Sequence, residues 1–386
     1  MGWVSRLDRD KGLTMVGLDK TLFALPPIVL FLVATGMPAV AESPQQDPRQ
    51  VARMVERAIR FLDTAQSEDG SYSSHLGTGI TSLVTTGLMR HGRSPQDPLV
   101  RKSLQYLERQ VHEDGGIYQQ GSRYRNYETC LAIVCFGEAN RNGKYDEILR
   151  RAEAFIKELQ WDGGEGHDES STSYGGAGYG KHNRPDMSNT SYLIEALKSL
   201  GSGADDPAMQ RALAFASRCQ NIETEHNDTA FAAKNPDGGF YYTPAAGGSS
   251  QAGETANGGL RSYGSMTYAG LKSMIYAGVG PSDPRVAAAY RWAQQHYSLS
   301  ENPGMGNNGY YYYLQTFAKA LDAIGEEEIT DATGAAHKWR QELIAVLAEQ
   351  QLRDGSWLNS NVRWLESDPN LVTGYVLLTL SYCRAE

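Results

Sequence analysis

Two kinds of apolar pattern alternate along this chain. In the first, apolar residues recur every three or four positions with charges between them. Leu99, Val100, Leu104 and Leu107 share one face, and Arg101, Lys102, Glu108 and Arg109 lie on the other. That periodicity belongs to a half-buried amphipathic helix. It predicts helices over roughly 50–66, 97–110, 145–159, 206–220, 284–297 and 336–351. Three of them open with Asp-Pro, at Asp97-Pro98, Asp206-Pro207 and Asp283-Pro284. The Asp accepts from free amides of the first turn, and the Pro sits where no amide partner is missed. The second pattern is apolar nearly all round and rich in small residues, as in Ile80 to Met89, Leu131 to Gly137 and Leu371 to Cys383. It predicts buried helices near 78–91, 126–140, 188–201, 262–278, 309–324 and 371–384. Several of these stop at a Gly able to take the left-handed cap: Gly92, Gly201, Gly278 and Gly325.

A turn recurs between the two kinds. Its fullest copy is Gln351-Leu352-Arg353-Asp354-Gly355-Ser356-Trp357, and Gln66 to Tyr72 repeats it closely. Asp114-Gly115-Gly116, Asp162-Gly163-Gly164 and Asp237-Gly238-Gly239-Phe240 keep the turn, and Asn302-Pro303-Gly304 is the most eroded copy. Gly after Asp allows a positive φ, the Gln side chain reaches the turn backbone, and the aromatic packs over the joint. A fixed turn between variable helices is repeat architecture. The series opens with an outer helix and closes with an inner one, so each end lacks a partner. Pairing the two ends closes a ring of six inner and six outer helices and leaves no apolar face exposed. Two long Gly-rich loops, 161–187 and 221–261, precede adjacent inner helices and form either a flap over the central opening or surface excursions.

Composition narrows the class. With 386 residues, 40% of them hydrophobic, the chain can bury a large core. A net charge of −9 argues against nucleic acid or an anionic membrane surface as main partner. The four cysteines (Cys130, Cys135, Cys219, Cys383) have no metal-binding spacing and read as buried thiols. At the start, Lys20, the apolar run Leu22 to Val33 and the small-residue site Ala39-Val40-Ala41 read as a signal peptide over 1–41, with Met15 a more ordinary start. The run is short and interrupted by Pro26 and Pro27, so no stable membrane span is expected in the mature form. The expected product is one domain over 42–386, exported to the periplasm or the exterior.

The repeat at 351–357, its copies and the alternating helices resemble the squalene cyclases and protein prenyltransferases of the terpenoid cyclase superfamily. The segments Asn235 to Phe240, Arg261 to Tyr268, Asn302 to Met305 and Pro369 to Thr373 resemble exported bacterial prenyltransferase/squalene oxidase repeat proteins. The resemblance implies an all-α (α/α)6 toroid with a deep apolar central cavity and a small apolar or prenyl-type ligand. It does not supply the chemistry. The Asp-x-Asp-Asp acid run of class II cyclases does not occur, and Asp205-Asp206 reads as a helix cap. The last inner helix opens Leu371-Val372-Thr373-Gly374-Tyr375, without the zinc-binding His of prenyltransferases, and the Cys-Gly-Glu-Gln of thioester toroids is missing. No cofactor and no metal are expected.

The candidates that remain lie at the starts of the inner helices. Asp186, His182 and Glu128 are the candidate catalytic groups, with Asp186 as the acid whose pKa a dry cavity would raise; it serves equally as a helix cap. Tyr127, Asn189, Arg261, Tyr263, Tyr311, Tyr312 and Arg363 are the candidate ligand-binding residues. Six helix N-termini converge on one opening and suit a phosphate or carboxylate head group, although the nearby loops carry many acids. His167-Asp168-Glu169 reads as a solvated acidic loop or part of a cation site. Three functions fit: a cyclase or isomerase acting on an isoprenoid, a polysaccharide lyase or hydrolase of similar toroidal build, and a binding or scaffold protein without turnover.

Overall fold

Asp97, Asp206 and Asp283 act as the helix caps that the Asp-Pro pairs predict: each accepts from a first-turn amide at 2.8–3.0 Å. The computed structural model describes residues 48–180 and 184–384. The expected signal peptide and His182 lie outside the described residues. The outer helices are α1 (Pro48–Ala65), α3 (Pro98–Glu108), α5 (Asp146–Glu158), α7 (Pro207–Arg218), α9 (Pro284–Gln295) and α11 (Trp339–Gln350). The inner helices are α2 (Gly79–Arg90), α4 (Arg125–Ala139), α6 (Met187–Ser199), α8 (Gly264–Tyr276), α10 (Tyr310–Ile324) and α12 (Pro369–Ser381). Each inner helix packs on the next, and α12 returns to pack on α2. The ring is therefore closed: an (α/α)6 toroid. All four cysteines are buried and free.

The repeated turn is the joint of the ring. Gln66, Gln160, Gln220 and Gln351 each donate through Nε2 to a carbonyl of their own turn and to a carbonyl of the following outer helix. For Gln351 that second carbonyl is Met54 of α1, at 2.9 Å, so the end of the chain clasps its beginning. Gly355 adopts φ +99°, and a Cβ there would lie 2.4 Å from the Arg57 carbonyl oxygen. Gly70, Gly115 and Gly238 sit the same way on Lys102, Arg151 and Ala288. Only glycine combines that φ with so close an approach.

Two joints differ from the sequence reading. Asp162-Gly163-Gly164 forms a short capped turn of its own, with nothing within 4 Å of a Cβ at Gly163. The joint is instead Gly175, whose Cβ would stand 1.8 Å from the Arg211 carbonyl oxygen, because an insertion separates Gln160 from its turn. The eroded copy places Gly304 against Ser262 of the inner layer rather than against an outer helix. A third difference concerns α11. Its expected start at 336 is taken by a small antiparallel hairpin pairing β1 (Ile329–Thr330) with β2 (Ala336–His337).

Below the inner-helix starts, the lumen holds charge. Lys272 of α8 and Lys319 of α10 donate to the two oxygens of Glu195 of α6, at 3.0 and 2.5 Å, and all three are buried. The contact from α10 to α6 passes the intervening α8, so it runs on the inner side of the ring. Burial raises the Glu195 pKa, but the two ammonium groups outweigh it and hold the carboxyl well below the usual carboxylate range. The triad ties α6, α8 and α10 together within the inner layer.

Candidate functional site

The inner helices begin at one end of the ring, and a cavity of about 300 Å³ opens there. Tyrosine dominates its wall: Tyr124, Tyr127, Tyr179, Tyr192, Tyr242, Tyr263, Tyr312 and Tyr375 all line it. Four of these rings form a belt across the inner helices. Tyr192 meets Tyr127 edge-on at 4.9 Å and stacks on Tyr312 at 6.3 Å, and Tyr312 meets Tyr375 at 6.0 Å. Glu195 lies one helical turn beyond Tyr192, so the belt is the cavity floor and the charged triad lies beneath it. Leu76, Ile80, Met266 and Leu371 supply the aliphatic wall.

The long loops cover the mouth. Tyr179 and Tyr242 come from the two Gly-rich segments, and Gln251 from the second. The segments are fastened to each other: Met187 N donates to Tyr242 O at 2.8 Å and Thr243 Oγ1 to Pro185 O at 2.7 Å. A third segment brings Trp364 and Leu365, both at positive φ (55° and 66°), with Trp364 packed over Gly309. Of the two readings left open for these loops, the flap is the one the structure shows, and its strained rim was not foreseen.

Four of the six inner-helix starts hold a carboxylate of the chain, and at α8 the Asn302 side chain accepts from Ser265 N at 3.0 Å. Asp186 caps α6, accepting from Asn189 N at 2.9 Å and from Asn189 Nδ2 at 2.8 Å. Glu366 accepts from the Tyr311 and Tyr312 amides at the start of α10 and from Asn359 Nδ2. Gly309, the residue before α10, has no side chain to do this, so a carboxylate from the next repeat takes its place. Glu128 accepts from Thr78 N, Thr78 Oγ1, Gln119 N and Ser122 Oγ, tying the start of α2 to the loop before α4. Asp368 caps α12 through Leu371 N. At α2, α6, α10 and α12 the chain's own carboxylates therefore stand where the expected anion would bind.

Burial pushes the Asp186 carboxyl up to about 6, against the bonds from Asn189 and Tyr242 and the charge of Arg184. Burial likewise raises Glu366 above the ordinary carboxylate range. Asp186 does not line the cavity; Asn189 and Tyr242, which touch it, do. Of the other candidates, Tyr127, Glu128, Asn189, Tyr263 and Tyr312 line the cavity. Tyr312 is the one ring of its run that reaches it, and its hydroxyl lies 3.1 Å from Ser188 Oγ. Tyr311 turns away onto Tyr310, because successive helix residues point about 100° apart. Arg261 is exposed, donates to the Glu254 carbonyl and does not line the cavity. Arg363 is exposed at the rim, donating to Gln251 Oε1 at 2.7 Å and stacking on Trp364. It fastens the mouth rather than lining the cavity. His167 and Asp168 bond within their own loop, to Ser171 and Ser170.

The residues missed from sequence are Tyr192, Tyr375, Tyr179, Tyr242 and Glu366. The first two carry a signal: Tyr192 lies three residues after Asn189, and Tyr375 one turn after the start of the last inner helix. The others sit in loops whose course no periodicity reports.

Comparison with known proteins agrees with this geometry. Residues 77–244 match the squalene-hopene cyclase C-terminal domain family. No curated protein sequence matches the chain. Among solved structures, an apo variant of the type II terpene cyclase MstE from Scytonema aligns with a TM-score of 0.51 at 13% identity, covering 86% of this chain and 97% of that one. A variant of the same cyclase in complex with its substrate geranylgeranyl dihydroxybenzoate aligns at 0.49 and 12% identity, covering 87% and 97%. In its toroidal fold, and over the matched segment, the chain is similar to the terpenoid cyclases.

Proposed function

We propose that this protein is exported and binds an apolar, isoprenoid-like ligand in the tyrosine-walled cavity. The observation that carries the reading is a cavity of about 300 Å³ at the inner-helix starts, floored by the tyrosine belt and covered by three loop segments. Such a cavity encloses a slender apolar chain and offers no long groove for a glycan. Glu128 and Glu366 are each held by three or four donors, so they do not form the free carboxylate pair that a glycosidase needs. Solvent extraction of the purified protein followed by mass spectrometry tests the reading: an isoprenoid recovered in stoichiometric amount supports it, and a bound glycan or water-soluble metabolite overturns it. Export is checked separately by the N-terminus of the secreted protein, expected at Glu42.

A second reading, turnover of that ligand, is favoured by one observation. Burial raises the Asp186 carboxyl to about 6, so it keeps its proton in mildly acid solution, and it touches Tyr242, whose ring lines the cavity. A proton leaving Asp186 reaches an alkene only through that hydroxyl, with Asp186 as the reservoir and Tyr242 as the group in contact. Asp186→Asn and Tyr242→Phe should each abolish product formation from a bound polyene while leaving ligand affinity within about twofold. Undiminished turnover in either variant removes this reading and leaves binding alone.

A further inference from the structure

A groove of about 320 Å³ lies between outer helix α3 and the turn joining α4 to α5, at the end of the ring where the inner helices finish. It shares no lining residue with the tyrosine-walled cavity. Its floor is apolar and buried, made by Leu104, Ala139 and the ring of Tyr145. Its walls carry cations, in a chain whose net charge is −9. Lys144 is spent within the fold, donating to Glu108 at 3.0 Å and to the Tyr145 hydroxyl at 2.7 Å. That pairing neutralises Glu108, the one carboxylate residue of the lining. Arg101 and Arg141 remain. Both are exposed, and among the described residues neither guanidinium has a hydrogen bond, an ion pair or a ring contact. Nearby arginines are used differently: Arg109 at the end of α3 and Arg151 on α5 each grip a turn carbonyl. The turn that carries Arg141 is held in shape. Asn140 accepts from Tyr145 N at 3.0 Å and donates to Asp146 at 2.8 Å, and Asn142 and Gly143 take left-handed backbone (φ 57° and 75°).

We propose that this groove binds a phosphate monoester, its terminal oxygens held between the guanidinium groups of Arg101 and Arg141. Two uncompensated positive charges match a dianion, whereas a carboxylate would leave one of them unmet. The planar fork of each guanidinium fits two phosphate oxygens at once. The side-chain amides of Gln105 and Asn142, also in the lining, supply further donors and acceptors for the esterified carrier, and the apolar floor takes its carbon face. A soluble ester and a lipid with a terminal phosphate share this chemistry. The proposal is independent of what fills the tyrosine-walled cavity.

Isothermal titration of the full chain with glycerol 1-phosphate tests the soluble source, and flotation with phosphatidylcholine vesicles containing phosphatidic acid tests the lipid. At least one of the two should bind. The double variant Arg101→Gln/Arg141→Gln should lose at least about tenfold of that affinity and melt within about 2 °C of wild type, since neither side chain bonds within the fold. Arg291→Gln/Lys338→Gln removes the same charge from exposed side chains outside the groove, and it should lose less than about twofold. Lowering the pH from about 7.5 to about 5, across the second phosphate ionisation near 6, should weaken wild-type binding about tenfold. Binding of neither probe, an equal loss in the two double variants, or an affinity that ignores this pH step overturns the proposal. The wild-type pH series decides alone if Arg101→Gln/Arg141→Gln does not fold.

Discussion

Asp186 offers a test in which stability reports the electrostatics of the site. Its carboxyl titrates at about 6 in the fold instead of the ordinary 3.8, mainly because burial disfavours the charged form. That difference corresponds to about 3 kcal/mol. The sign is opposite to that of a salt-bridged carboxylate. Below about pH 4 both native and unfolded states hold the proton, and the group contributes nothing. Between the two values the native state keeps a proton that the unfolded chain has released, so stability falls as pH rises. Above about pH 6 both states are ionised and the whole cost stands. Asp186→Asn removes this term while keeping the cap, since the new amide oxygen accepts from the Asn189 amide. Its amide nitrogen also finds an acceptor, because Asn189 Oδ1 has no partner in the native protein and takes the bond after an amide flip. Urea unfolding at steps from pH 4.5 to 7.5 should show the variant gaining on wild type by about 2 kcal/mol across that interval. A difference that stays flat within about 0.5 kcal/mol, or that moves toward wild type, refutes the assignment of a raised pKa to this group.

Other outcomes follow from single contacts. Glu195→Gln leaves Lys272 and Lys319 buried without a counter-charge, and denaturant unfolding should show a loss of about 3–5 kcal/mol; a loss below about 1 would mean that the triad is not a buried charge pair. Gly175→Ala places a Cβ against the Arg211 carbonyl at φ +81°, whereas Gly163→Ala meets nothing within 4 Å. The first should lower Tm by more than about 5 °C and the second by less than about 1 °C. A reversed order would restore the joint to Asp162-Gly163-Gly164. Gln351→Ala removes the clasp from the last turn to Met54, and amide hydrogen exchange in α1 should rise well above that in α5. Unchanged exchange in α1 would mean that the ring is not held there.

The repeat made the ring legible because its parts have local causes. Asp-Pro starts, apolar periodicity and a Gln-to-turn spacing each act within a few residues, and together they gave twelve helices close to their observed bounds. The third joint escaped because the insertion after Gln160 keeps one Asp-Gly turn near the Gln and puts the working one twelve residues further on, at Gly175. The site was legible where helix geometry aims a side chain inward, as at Tyr127, Asn189, Tyr263 and Tyr312. Arg261 and Arg363, chosen for their charge near an inner-helix start, lie outside the cavity lining, and both side chains bond to neighbouring loops. Trp364 and Leu365 lay beyond sequence reasoning, because a positive φ at a bulky residue is imposed by tertiary contacts, here the seat over Gly309. The expected anion site failed for a related reason. Convergence of helix starts was visible, and so was the local Asp186 cap, but the carboxylates at α2 and α10 arrive from other repeats, as Glu128 and Glu366 do.

The cavity itself is tested most directly by filling it. Ser188 lines the wall at the start of α6 and is partly accessible, so Ser188→Trp projects an indole into the space without entering the packed core. Titration of farnesol into wild type and Ser188→Trp, with thermal unfolding as the control, should show saturable binding to the first. The second should bind at least about tenfold more weakly while melting within about 3 °C of wild type. Equal farnesol affinity in the two proteins would place the ligand outside the ring and contradict the account.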